Sequence, residues 1–198
     1  MTTDRGSECL GRLAFIFFLV VFSFTTTAKE KLVDHLGEPF SVGQLKGKVV
    51  LLVIGFTNCE DVCPIEMARA TIALSDLEGN IDLVQPVFLT IDPERDRPEV
   101  IANYLRNFHP SFTGISGNSD SVAKLVDYYG VSPKENKHHG ANKQIDHGYS
   151  TFILDKYGKI EVAVLPGLPP SHLSELLFKM TQENHEDQKI INQDKNAG

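Results

Sequence analysis

The sequence is poor in cysteine and has no basic stripe, and each shortage removes a class of protein. Three cysteines among 198 residues cannot build the multi-bridge framework of a small secreted domain. A formal net charge of -7, with no arginine-rich stretch and no interleaving of aromatic and basic residues, argues against nucleic acid, whose phosphates demand a basic face. Internal repeats and long linkers are also missing. What remains is one domain with tails at both ends. Its 41% hydrophobic and 23% charged residues are ordinary for a globular core.

The N-terminus carries the first positive signal. Arg5 and Arg12 precede an apolar run, Leu13–Phe24, interrupted only by Ser23. A bilayer-spanning helix needs about 20 apolar residues, so the run is short for a span. Thr26-Thr27-Ala28 then places small residues where a signal peptidase reads. Residues 1–28 are therefore expected to be a secretory signal ending at Ala28, with an uncleaved membrane anchor reaching Thr27 as the alternative. Asp4 and Glu8 count against a mitochondrial presequence. No cysteine follows the run, so a lipid anchor has no support. Cys9 would leave with a cleaved signal, and the mature chain would keep only Cys59 and Cys63.

Residues 29–182 are expected to form the domain. Turn chemistry around Gly37-Glu38-Pro39 and Lys46-Gly47-Lys48 predicts an N-terminal hairpin. Val49–Phe56 is nearly unbroken in β-branched and apolar residues, the mark of a strand buried on both faces. Pro64 disfavours a helical Cys63 and suits a first helical position, so the pattern predicts Cys63 as N-cap, Glu66 at the third position and a helix from Pro64 to about Leu77. A strand over Val84–Ile91, a helix after Pro98, a strand at Phe112–Ile115 and a helix over Val122–Tyr129 capped by Gly130 follow. Ser132–Gln144 reads as a polar loop. Tyr149–Leu154 and Ile160–Leu165 read as a hairpin, and Leu173, Leu176, Leu177 and Met180 as a closing helix. Residues 183–198 read as a polar, disordered tail. This order predicts an α/β fold: a mixed sheet flanked by helices on both sides.

The cysteines fall at the carboxyl end of the first buried strand, where open α/β sheets place their ligands. Thiolates are both nucleophiles and metal ligands, and a helix N-terminus favours them. Two sulfurs with three residues between them can meet one ion or form a disulfide; together they select soft ions such as Cu(I). Glu60 and Asp61 oppose thiolate formation but favour a bound cation, which tilts the reading from redox catalyst to metal carrier. Two cysteines leave a metal under-coordinated. The candidates for a third ligand are His35, His109, His138, His139, His147, His172 and His185, and His147 stands out by directly preceding the Tyr149–Leu154 strand. Asp146 could orient it. Asp92, at the end of the second strand, could accept hydrogen bonds from the cysteine loop or meet a partner; Glu94, Arg95 and Asp96 read as local turn pairing. The His138-His139 pair reads as a solvated loop able to bind metal adventitiously, and His109 as a helix-end cap.

Three segments together, GFTNCEDVCP, FLTIDPERDRPEVIANYLRNFHPSFTGISG and IDHGYSTFILDKYGKI, resemble the Sco/SenC proteins over about Leu32–Met180. The resemblance implies a thioredoxin-like fold and copper ligation by Cys59, Cys63 and His147. It implies copper, Cu(I) and also Cu(II), as the bound ion, and assembly of the copper A centre of cytochrome c oxidase as the task. The implied partner is the copper-receiving subunit of the oxidase, and the implied place is the periplasm or the periplasmic face of a bacterial inner membrane. Asn58 and Glu60 depart from residues common in the family; neither is a ligand in its pattern. The alternative function is a thiol–disulfide oxidoreductase acting through Cys59 and Cys63 on the target's cysteines. The three-residue spacing, in place of the usual two, counts against it.

Overall fold

A computed structural model describes residues 32–131, 134–136, 144–146 and 151–196. The strands are β1 (Leu32–Asp34), β2 (Pro39–Phe40), β3 (Val49–Gly55), β4 (Val84–Thr90), β5 (Thr113–Gly117), β6 (Lys134–Asn136), β7 (Gln144–Asp146), β8 (Thr151–Leu154) and β9 (Ile160–Val164). The α-helices are α1 (Val62–Ser75), α2 (Pro98–Leu105), α3 (Ser119–Tyr128) and α4 (Pro170–Asn196).

The N-terminal hairpin forms as its turn residues predict. The Asp34 carboxylate accepts from the Leu36 and Glu38 amides, at 2.9 Å each. Gly37 takes a φ of 86°, a conformation that a Cβ would strain. The hairpin extends a seven-stranded sheet in the order β2-β1-β5-β4-β3-β8-β9. Within it β3, β4 and β5 run parallel, and β1 and β8 flank them antiparallel. β6 and β7 form a separate antiparallel pair, with Lys134 opposite Asp146.

The unbroken apolar run of β3 is explained by helices on both faces, since every residue of the strand is buried. Val49, Leu51 and Val53 point with Phe88 towards Met67, Leu74, Ile101, Leu173 and Leu177 of α1, α2 and α4. Val50, Leu52 and Ile54 point the other way, with Val87 and Leu89, towards Val122 and Val126 of α3. Each such side chain contributes about 1.5–3 kcal/mol by leaving water. α2 lies unusually close to β5. A Cβ on Gly114 would fall 2.2 Å from Ile101 Cγ2, so only glycine permits the approach.

Three details depart from the sequence pattern. α1 begins at Val62 with Asp61 as N-cap, so Cys63 is the second helical residue and Pro64 the third. The first-turn amides of a helix have no intrahelical acceptor, so a proline there forfeits no hydrogen bond and the helix can start earlier. The polar segment 132–144 contributes a strand, Lys134–Asn136, rather than loop alone. The closing helix runs on to Asn196, through the stretch whose polarity predicts a disordered tail; that stretch has no glycine or proline before Gly198 to stop it. Among the described residues, no helix is long and apolar enough to cross a membrane. The expected signal or anchor segment, residues 1–28, lies outside the described residues.

Candidate metal centre

The parallel register brings the ends of β3, β4 and β5 together, with Gly55 beside Thr90 and Leu89 beside Ile115. The chain leaves β3 at Gly55, turns at Phe56, where the carbonyl accepts from the Cys59 amide at 3.3 Å, and enters α1. Neither Cys59 nor Cys63 is in a disulfide. Cys59 is half-buried and Cys63 is 2% exposed. One sulfur is thus reachable from solvent while the other is packed against the sheet.

The packing of Cys63 depends on a missing side chain. A Cβ on Gly55 would lie 2.8 Å from Cys63 Sγ and 3.4 Å from the Phe88 ring. Gly55 is the notch that lets the helix N-terminus settle onto the strand end with the sulfur inside. The Cys63 side chain is hydrogen-bonded to that of Cys59. This bond, reinforced by burial, pushes the Cys63 thiol well above the ordinary range; a hydrogen bond from the Phe56 backbone pulls the other way. Without a cation, Cys63 is held as a thiol.

The loop is fastened by Asp96, which is fully buried. Its carboxylate accepts from Thr57 N at 2.9 Å, Thr57 Oγ1 at 2.6 Å and Thr90 Oγ1 at 2.7 Å. Its carbonyl accepts from Ser116 Oγ at 2.7 Å. One residue therefore ties together the cysteine loop and the ends of β4 and β5. This role is not legible in the sequence, because spacing within Asp-Pro-Glu-Arg-Asp does not say which carboxylate turns inward. The turn in which the Asp96 amide donates to Asp92 O at 2.9 Å folds residue 96 back over the strands. Asp92 reaches the loop by another route. Its carboxylate holds Arg95 in an ion pair, and the guanidinium lies 6.0 Å from the centroid of the Phe56 ring.

Glu66 does not sit at the third helical position. Its buried carboxylate accepts from Arg69 Nη1 at 2.6 Å and from the Gly167 amide at 3.2 Å, joining α1 to the loop before α4. His109 is not the helix-end cap that its position suggests, since α2 closes with Arg106; its amide donates to Thr71 Oγ1 of α1 at 3.1 Å, and its Nδ1 lies 2.7 Å from Ser111 Oγ. Burial lowers its pKa from the ordinary 6.5. His35 has a structural task that the sequence did not disclose, its Nδ1 accepting from the Gly114 amide at 3.1 Å. His138, His139 and His147 lie outside the described residues, and Asp146 closes β7 opposite Lys134. Among the described residues no third ligand joins the two cysteines.

The donor set fits a soft cation. Two thiols touch, and their protons are replaceable. The same two sulfurs lie near enough for a disulfide to be an alternative fate.

The SCO1/SenC family model matches residues 17–182. A SCO2-like protein of Rickettsia prowazekii is 37% identical over 132 residues, which are 65% of this chain and 64% of that relative. The mitochondrial protein SCO2 of Saccharomyces cerevisiae is 36% identical over 132 residues, 65% of this chain and 44% of its own. The chain thus spans less than two thirds of the length of these curated relatives. Among solved structures, ScoI of Bradyrhizobium japonicum with copper bound superposes with a TM-score of 0.70 at 29% identity, covering 76% of this chain and 96% of that one. Yeast Sco1 with copper bound gives 0.68 at 30% identity, covering 77% and 86%.

Proposed function

The chain belongs to the SCO1/SenC family, and from that premise we propose that it is a copper chaperone holding one copper ion through Cys59, Cys63 and His147. The observation that carries the reading is the pair of touching thiols, one buried over Gly55 and one half-exposed. Two thiolates and one imidazole make a three-coordinate site for Cu(I), with a side left open for release to a partner that offers more sulfur. His147 supplies the third donor; it directly follows β7, and Asp146 orients its ring. The copper-bound relatives support the choice of ion.

In this reading the ion is cargo, destined for the copper A centre in the receiving subunit of cytochrome c oxidase. Residues 1–28 export the chain to the periplasm of a bacterium, either as a cleaved signal or as an anchor in the inner membrane. Loading requires both cysteines reduced, so the redox state of the pair gates capacity.

The test is a competition titration of the reduced chain with Cu(I) against a chelator of known affinity. One ion per chain is expected, with retention lost in Cys59→Ser and Cys63→Ser and strongly weakened in His147→Ala. Unchanged retention in His147→Ala would remove the histidine from the site. The contact between the two sulfurs also favours a second reading, thiol–disulfide exchange with the target's cysteines. Reduction of insulin by the copper-free chain at a rate matching dedicated reductases would favour that reading.

A further inference from the structure

One buried polar atom beside the cysteine pair has no partner. Among the described residues, the hydroxyls of Tyr104, Ser121 and Thr151 are buried without a hydrogen bond. Burying a hydroxyl unpaired is costly, and an orphan of this kind in a folded protein calls for an explanation. Tyr104 is the one of the three whose surroundings include both cysteines and Asp96.

Packing explains that proximity. Phe88 lies beside the Gly55 notch that receives Cys63 Sγ. The Tyr104 ring packs on Phe88 with centroids 5.3 Å apart, and Phe108 braces its other side at 5.0 Å. The helix that carries it is held down by the close contact of Ile101 on Gly114. The ring is held between these two aromatic neighbours with its hydroxyl out of contact with water. Burial above all, then the nearby cysteine and Asp96 charges, holds the phenol above its ordinary range, so it remains an O–H donor.

We propose that Tyr104 is a positioning residue whose hydroxyl donates a hydrogen bond to the Cys63 sulfur once a metal ion has replaced that thiol's proton. In the metal-free chain the Cys63 side chain is engaged with Cys59. When Cu(I) binds, each coordinating thiol gives its proton to solvent and its sulfur bonds the metal. The sulfur then carries negative charge and free lone pairs, and hydrogen bonds from such outer partners fix and tune a metal ligand. The phenol is left unsatisfied in the empty state so that it can be satisfied in the loaded one. This rests on the copper reading above.

Tyr104→Phe in the full chain tests it, because the ring stays and only the hydroxyl leaves. Two readouts are expected to move in opposite directions. The thermal midpoint of the copper-free protein rises, since an unpaired buried hydroxyl is gone. Cu(I) retention against a chelator falls about tenfold, and in the Cu(II)-loaded protein the sulfur-to-copper charge-transfer band shifts to lower energy. Retention and band equal to the parent's would overturn the proposal, leaving Tyr104 a packing residue with an orphan hydroxyl. A lower thermal midpoint accompanying the copper loss would overturn it too, since that marks a structural role. A parent chain that fails to retain Cu(I) at all would instead overturn the copper reading, and this inference with it.

Discussion

At the scale of single residues, the centre rests on one absent side chain and one buried carboxylate. Gly55→Ala places a methyl group 2.8 Å from Cys63 Sγ, against a strand that cannot move. The variant is expected to lose about 1–3 kcal/mol of stability in urea denaturation and to hold copper more weakly, because the sulfur is displaced. Asp96→Ala removes three hydrogen bonds to a fully buried carboxylate and is expected to cost about 3 kcal/mol or more. Cys63 sets the pH response. Its thiol is pushed up by the bond to Cys59 and by burial, so it is protonated in the empty protein at neutral pH and must release that proton to bind a metal. Apparent Cu(I) affinity is therefore expected to rise with pH, about tenfold per unit for the Cys63 proton alone. Proton release on loading, measured in a weakly buffered solution with a pH indicator, checks the sign. A pH-independent affinity would contradict it.

At the scale of elements, α1 carries the site and is fastened on two sides. Its first turn carries Cys63, Glu66 fastens it to Gly167, and Thr71 fastens it to His109. The His109 contact adds an acid-sensitive contribution. Burial lowers the His109 pKa from 6.5, so the folded chain binds fewer protons there than the unfolded one. The stability it supports is complete above about pH 6.5 and is lost as the pH falls through the lowered value. Denaturation midpoints of the parent and of His109→Asn, compared between pH 7.5 and 5.5, are expected to show a smaller acid loss in the variant. Much at this scale was legible in the sequence. The doubly buried run Val49–Gly55, the hairpin over Asp34–Pro39 and the helix after Pro98 follow from local pattern and turn chemistry. The start of α1 was not, because the bias that Pro64 imposes on Cys63 is weaker than the packing of Cys63 over Gly55. Asp96 was hidden for a related reason: which side chain of a turn points inward is decided by strands distant in sequence, here at Thr57, Thr90 and Ser116.

At the scale of the whole molecule, the sheet places a half-exposed sulfur at the carboxyl end of an interior strand, with two exposed apolar side chains on the helix that follows. Val62 and Ile65, in the first turn of α1 beside Cys63, are 42% and 47% exposed. A carrier must hand over its ion through a contact, and exposed apolar side chains next to the ion suit one. Ile65→Glu is expected to leave copper titration unchanged and to slow transfer to the receiving oxidase domain several-fold, read by the loss of carrier-bound copper after mixing. Equal transfer rates would place the contact elsewhere. The ligand set itself is the central claim, and X-ray absorption at the copper edge of the Cu(I)-loaded chain tests it most directly. Two sulfur scatterers and one nitrogen scatterer per copper are expected, with the nitrogen replaced in His147→Ala. A first shell with one sulfur, or one unaltered by that substitution, would contradict the account.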